Sequence, residues 1–156
     1  SDIMAPIYMT TTKHNPSGIQ TSVAGGNSGC CAWSFEWSIL KKNPVILCGI
    51  DIGYPEGTDL GKTPYFSTMH RVISAQMPEK AAAVTTNMQY DREYNPDWNS
   101  FCYVDTAFKG YRKIWSFYLD ILPLNIATIN ATEGGAFRHP RMKPMTLKEA
   151  LKQYPT

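Results

Sequence analysis

The sequence predicts an α/β fold in which a parallel sheet carries helices on both faces. Three observations lead there. The run VILCGI, residues 45–50, is apolar throughout, as in a strand covered on both sides. Segments of strand and helix character alternate along the chain, the pattern of right-handed βαβ units. Polar turns rich in glycine stand where strands end and helices begin, and in open parallel sheets such turns gather beyond the carboxyl ends of the strands.

Taken in order, residues 7–10 after Pro6 read as a short strand, and residues 11–23, rich in Thr, Ser, Asn, Pro and Gly, as a loop. A helix is expected over residues 28–40, opened by Asn27, a favourable N-cap. Its interior, CCAWSFEWSIL, is apolar on nearly every face, which predicts burial all round. Lys41, Lys42, Asn43 and Pro44 end it with cations and a proline stop. The strand at 45–50 exits at Asp51 into a Gly/Pro-rich loop, GYPEGTDLGKTPY. Residues 68–83 have helical character, and YNPDWNS reads as irregular.

The clearest helix spans residues 104–122. Val104, Ala107, Phe108, Tyr111, Ile114, Trp115, Tyr118 and Leu122 recur at three- and four-residue spacing on one face, with Lys109, Arg112 and Lys113 on the solvent side. Residues 125–129 form another strand, followed by NATEGGAF. Thr146-Leu147-Lys148-Glu149 is a capping box that opens a short last helix.

Hydrophobic content of 43% and charged content of 18% over 156 residues describe one globular domain, residues 1–156. A net charge of +2 leaves no general nucleic-acid footprint. No apolar run approaches the ~20 residues of a membrane span, and no signal peptide opens the chain. The expected location is cytoplasmic. Cys30, Cys31, Cys48 and Cys102 lack CxxC spacing and read as small buried hydrophobes in a reducing compartment. The opening SDIM has no initiator methionine, which suggests a piece of something longer.

Three polar turns carry the candidate chemistry. In GGNSG, Gly26, Asn27, Ser28 and Gly29 lead into a helix N-terminus, where unpaired N–H groups and a partial positive charge suit a phosphate. The same stretch is equally a plain capped turn, since it is neither GxGxxG nor a loop ending in GK[ST]. Asp51, at the exit of a buried strand, suits a metal, a ribose hydroxyl or a sugar, or else caps the turn at Gly53. Glu133, before two glycines in the third turn, has the same ambiguity. His14, His70 and His139 show no pairing with a nucleophile, and RHPRMK at 138–143 reads as a solvated basic cluster.

Together these segments resemble a known family. GGNSGCCAWSFEWSILKKNPVILCGIDIGYPEGTDLGKTPYFS is similar to the central part of the motility-associated-factor flagellin glycosyltransferases, whose domain is shared with archaeal 6-hydroxymethylpterin diphosphokinase-like proteins. DTAFKGYRKIWSFYL, TINATEGGAF and RMKPMTLKEAL look like the later pieces of that domain, so the likeness runs from about Pro6 to the end. The order of the segments carries it.

The resemblance implies a Rossmann-like three-layer transferase with sialyltransferase-like topology. The donor loop of that domain's first half is absent here, so either residues 67–100 supply further strands or the chain is the C-terminal half of a longer domain. By the same carry-over Gly26, Asn27, Ser28 and Gly29 contact the donor nucleotide, and Thr132, Glu133 and Gly134 border its pocket. Tyr54 and Glu56 lie beside a sugar. Sialyltransferases place a general-base histidine just ahead of the helix matching the one after Asp105. This chain has Tyr103-Val104-Asp105-Thr106 there, so Asp51, Asp105 and Glu133 are the candidate catalytic carboxylates.

Three functions follow as expectations. The first is a transferase using a nucleotide-activated sugar such as a CMP-sugar, acting on a sugar or small-molecule acceptor. The second is an ATP- and magnesium-dependent diphosphokinase. The third is a catalytically incomplete module for nucleotide binding or homo-oligomeric assembly. The metal requirement stays open.

Overall fold

The computed structural model describes residues 26–78 and 89–155, which form a mixed α/β fold around a small parallel sheet. The strand expected at 7–10, the loop at 11–23 and part of the helix expected at 68–83 lie outside the described residues. Strand β1 is Val45–Leu47, β5 Thr128–Asn130 and β6 Met142–Pro144, all parallel in the order β1-β5-β6. A second, antiparallel sheet in the order β2-β4-β3 joins β2 (Tyr54–Pro55), β4 (Ser100–Val104) and β3 (Asp91–Asn95). The sequence pattern predicted one parallel sheet only.

The helices are α1 (Ser28–Ser38), α2 (Pro64–Gln76), α3 (Thr106–Ile121) and α4 (Leu147–Gln153). Period-two alternation in β1 sends Val45 and Leu47 to one face of the parallel sheet and Ile46 to the other. Trp33 and Cys30 of α1 and Trp115 and Leu119 of α3 pack with Val45 and Leu47, while Ala150 of α4 packs with Ile129 and Ile46. Trp115 and Leu119 are completely buried, and Trp115 lies 6.0 Å from the Trp33 ring and 4.6 Å from Phe137. Burial of each such side chain contributes roughly 1.5–3 kcal/mol. The Trp33 indole N–H donates to Thr128 Oγ1 at 3.0 Å, tying α1 to the central strand.

Several expectations need correction. Helix α1 ends earlier than residue 40, and it buries Cys30, Trp33 and Ser34 while leaving Phe35 exposed. Apolarity all round did not become burial all round. The strand at 45–50 stops at Leu47 because Gly49 turns at φ +69° and the Ile50 N–H bonds Thr132 Oγ1 instead of a ladder partner. Helix α2 starts at Pro64, with Thr63 Oγ1 accepting from the Phe66 N–H, a Thr-Pro start that the reading overlooked. Val104 closes β4, and Asp105 caps α3.

YNPDWNS is irregular only at its tip. Tyr94 and Asn95 end β3, Ser100 begins β4, and Asn95 Oδ1 accepts the Asp97 N–H to set the turn. The strand expected at 125–129 lies at Thr128–Asn130. The cluster at 138–143 is no plain solvated surface either: Met142 is buried and opens β6. Ile114 was placed on the inward face of α3 but is 42% exposed, and Arg112 was placed outward but pairs with Glu93. The capping box at Thr146 and Glu149 forms with both of its hydrogen bonds. Among the described residues no helix is long and apolar enough to cross a membrane.

The cysteines divide by environment. Cys30 and Cys102 are buried, Cys31 is half-buried and Cys48 is exposed, against the expectation of four buried thiols. Burial, with a smaller contribution from neighbouring Cys31, pushes the Cys30 thiol up to about 12. Thiolate is the reactive form. Iodoacetamide at pH 8 is therefore expected to alkylate Cys48 first and to leave Cys30 and Cys102 unmodified until the protein unfolds. Mass spectrometry of the peptides over time reads the order. Labelling of Cys30 at the Cys48 rate would contradict this packing.

Candidate functional site

Two of the three polar turns extend β1 and β5 beyond their carboxyl ends, and the third opens α1 beside them. Asn27 caps α1 from an extended backbone (φ −149°), with Oδ1 accepting the Cys30 N–H at 2.9 Å. Gly26 turns at φ +77° against Tyr111 and Ile114, so the entry to α1 is seated on α3. A Cβ on Gly29 would stand 2.9 Å from Ile50 Cδ1, which brings the helix start against the exit of β1. Ser28 is exposed there.

The second and third turns interlock more tightly. Thr132 Oγ1 accepts the Ile50 N–H at 3.1 Å, and the Asp51 carbonyl accepts the Ala136 N–H at 2.7 Å. A Cβ on Gly134 would lie 3.5 Å from Asp51 Oδ1. Residues 26–29, 50–51 and 132–135 thus lie along one rim. A groove of about 560 Å³ runs from this rim along the edge of β1 that has no strand partner among the described residues, lined by Gly29, Trp33, Glu36, Leu47, Cys48 and Ile50.

The three candidate carboxylates have different employment. Asp105 is buried: Oδ1 accepts the Phe108 N–H at 2.7 Å as the α3 cap, and Oδ2 accepts the Tyr54 hydroxyl at 2.9 Å. The Tyr54 ring lies 6.2 Å from that of Tyr90, whose hydroxyl is 2.9 Å from the Thr63 hydroxyl. Burial first, then the Asp105 bond, pushes the Tyr54 phenol well above the ordinary tyrosine value. Glu133, at φ +62°, accepts the Leu147 N–H at 2.9 Å and so holds the start of α4. Asp51 is half-buried, and its carboxylate has no hydrogen-bond partner among the described residues.

Glu56 stands apart from the rim. It takes both Nε and Nη2 of Arg92, at 2.9 and 2.5 Å, and that guanidinium lies 3.6 Å from the centre of the Phe101 ring. Tyr54 faces inward to Phe108 with ring centres 4.9 Å apart. Their partners, Asp105 and Phe108 for Tyr54 and Arg92 for Glu56, belong to α3 and the antiparallel sheet, so the loop from 51 to 56 divides into a rim part and a scaffold part. His70 is on α2, and His139 Nε2 lies 3.2 Å from Asp120.

No family model, no curated protein and no solved structure matches the chain.

Sequence reasoning missed a second hollow of about 540 Å³ between α3 and the β3–β4 hairpin, lined by Glu93, Asn95, Lys109, Arg112, Lys113 and Arg138. Arg112 grips Glu93 with both Nη atoms, at 2.6 and 2.8 Å, and also donates to the Ala136 carbonyl at 3.3 Å. It thereby ties α3, β3 and the third turn together. The signal was present in the acidic alternation of Asp91 and Glu93 facing Lys109 and Arg112. Among the described residues no three His, Cys, Asp or Glu side chains could jointly hold a metal ion.

Proposed function

We propose that the chain is a nucleotide-dependent transferase domain of the Rossmann-like three-layer class, using a nucleotide-activated sugar. The observation that carries this reading is the Asp51 carboxylate, without a hydrogen-bond partner among the described residues, beside Gly134 at the carboxyl rim of the parallel sheet, where Ile50 meets Thr132 and the start of α1. A helix start suits the leaving phosphate, and small residues let a ligand approach the backbone. The donor phosphate sits at Asn27, Ser28 and Gly29. Asp51 takes the proton from the acceptor hydroxyl as its oxygen forms the new bond to the sugar carbon. The bond from that carbon to the phosphate breaks, and the nucleotide leaves with the electron pair. The diphosphokinase alternative relies on the same rim with ATP and magnesium, for which Asp51 is the available carboxylate.

Thermal unfolding with CMP, a CMP-sugar, and ATP with or without magnesium tests the site. A nucleotide at a hundred times its dissociation constant adds about 2.7 kcal/mol, a shift of several degrees. Stabilisation by CMP or CMP-sugar without metal is the expected result. A response only to ATP with magnesium favours the diphosphokinase, and no response to any nucleotide overturns both. Asp51→Asn is expected to keep the nucleotide-induced shift while lowering transfer by roughly 100-fold. Full turnover in that variant would remove Asp51 from the reaction. Asn27→Ala lowers stability by about 1 kcal/mol through the lost cap and is expected to weaken nucleotide binding more than it lowers the melting temperature.

A further inference from the structure

On α3 the positions Ile114, Phe117 and Ile121 repeat at spacings of three and four, and Leu124 continues the series just past the helix end. They are 42%, 57%, 63% and 92% exposed. Gly110 precedes them one turn earlier, with open space where a Cβ would stand. Gly26 lies against Ile114, yet all four side chains stay exposed among the described residues. Scattered apolar residues on a surface are ordinary, but an aligned row of four is a contact face.

We infer that the stripe is an isologous interface with a second copy of this chain, α3 packing antiparallel on its mate with the two-fold axis near Phe117. The spacing is self-complementary about that point. Phe117 meets its own copy, Ile114 falls opposite Ile121, and bulky Leu124 falls opposite the flat position at Gly110. The charges agree. At 100° per residue Lys113 and Asp120 lie on the same flank of the stripe, four residues before and three after Phe117. An antiparallel mate therefore sets Lys113 of each copy beside Asp120 of the other, twice. Lys113 has no ion-pair partner among the described residues, and Asp120 is 69% exposed beyond its contact with His139. Between α1 and α3, a small apolar hollow of about 120 Å³ walled by Trp37, Tyr118 and Ile121 borders the stripe and gives the mate somewhere to seat a side chain.

A patch this narrow makes a weak dimer, populated above about 10 µM. Sedimentation velocity of the full chain from 2 to 200 µM is the test, with circular dichroism of every variant as the folding check. The expected result is a monomer–dimer equilibrium that Phe117→Asp abolishes without unfolding the protein. Lys113→Glu and Asp120→Lys are each expected to weaken dimerisation about tenfold at low salt, and the double exchange to restore it. A monomer throughout this range overturns the proposal. So does a Phe117→Asp chain that loses its fold, which would show the stripe packed within its own molecule. A dimer unaffected by all these changes places the interface elsewhere and overturns it equally.

Discussion

Gly135→Ala is expected to be the most damaging single methyl addition in the molecule. A Cβ at this position would lie 2.1 Å from the Asp51 carbonyl oxygen, 2.4 Å from its Cα and 2.6 Å from its carbonyl carbon. All three are backbone atoms, so no side chain can swing aside. The residue also sits at φ +70°, where alanine is strained by a further 1–2 kcal/mol or so. Relief requires the third turn to lift away from the exit of β1, breaking the Ala136 N–H bond to Asp51. The combined cost is about 4 kcal/mol, a melting temperature lower by roughly 10 °C in a chain of this size. Gly57→Ala is the control: its φ is +87° but open space surrounds it, so only the strain remains. A Gly135→Ala protein that melts with its Gly57→Ala counterpart would contradict the close approach of the two turns. Because Asp51 is the residue displaced, nucleotide binding at the rim is expected to weaken in the same variant.

How far this arrangement was legible from the sequence depends on how local each signal is. The capping box at Thr146 and the cap at Asn27 are written within a few residues of where they act, and they read correctly; the periodicity of α3 gave the helix but misplaced Ile114 and Arg112 on its faces. The apolar run ending at Asp51 and the glycines at 134 and 135 placed two ends of the rim, because strand exits are marked by turn chemistry. The antiparallel sheet was not legible: β3 is DREYN, polar on most of its length, and it is held by Lys109 and Arg112 of α3 pairing with its Asp91 and Glu93 and by its own Arg92 lying over Phe101 of β4 and pairing with Glu56. No local pattern reports such partners. Strand β6 was hidden for a similar reason. Only Met142 of its three residues is buried, and the flanking Arg141 looked like surface until its guanidinium is seen holding the carbonyls of Leu122 and Pro123. The candidate carboxylates looked alike in sequence, and only their hydrogen bonds separate Asp51 from Asp105 and Glu133.

That separation sets the second large effect. Asp105→Ala is expected to destabilise the fold by about 3 kcal/mol, seen as a loss of denaturant midpoint with unchanged slope. Two losses add. The Phe108 N–H loses its cap, worth about 1 kcal/mol or somewhat more, and the inward Tyr54 hydroxyl loses its carboxylate acceptor. A buried donor left unpaired costs a further 1–3 kcal/mol or so. Tyr54→Phe removes that donor, so the double variant is expected to be less destabilised than the sum of the two single changes by about 1 kcal/mol. Asp105→Asn retains a side-chain oxygen for the cap, and the Tyr54 hydroxyl can rotate to accept from the amide, so its cost is smaller. The same substitution distinguishes a structural carboxylate from a reacting one. A general base replaced by its amide loses turnover with little change in stability, whereas the geometry at Asp105, with one oxygen on a helix cap and the other on a phenol, predicts the reverse. Asp105→Asn is therefore expected to melt earlier yet keep the rate of the intact protein. Unchanged melting with abolished transfer would move the base from Asp51 to Asp105.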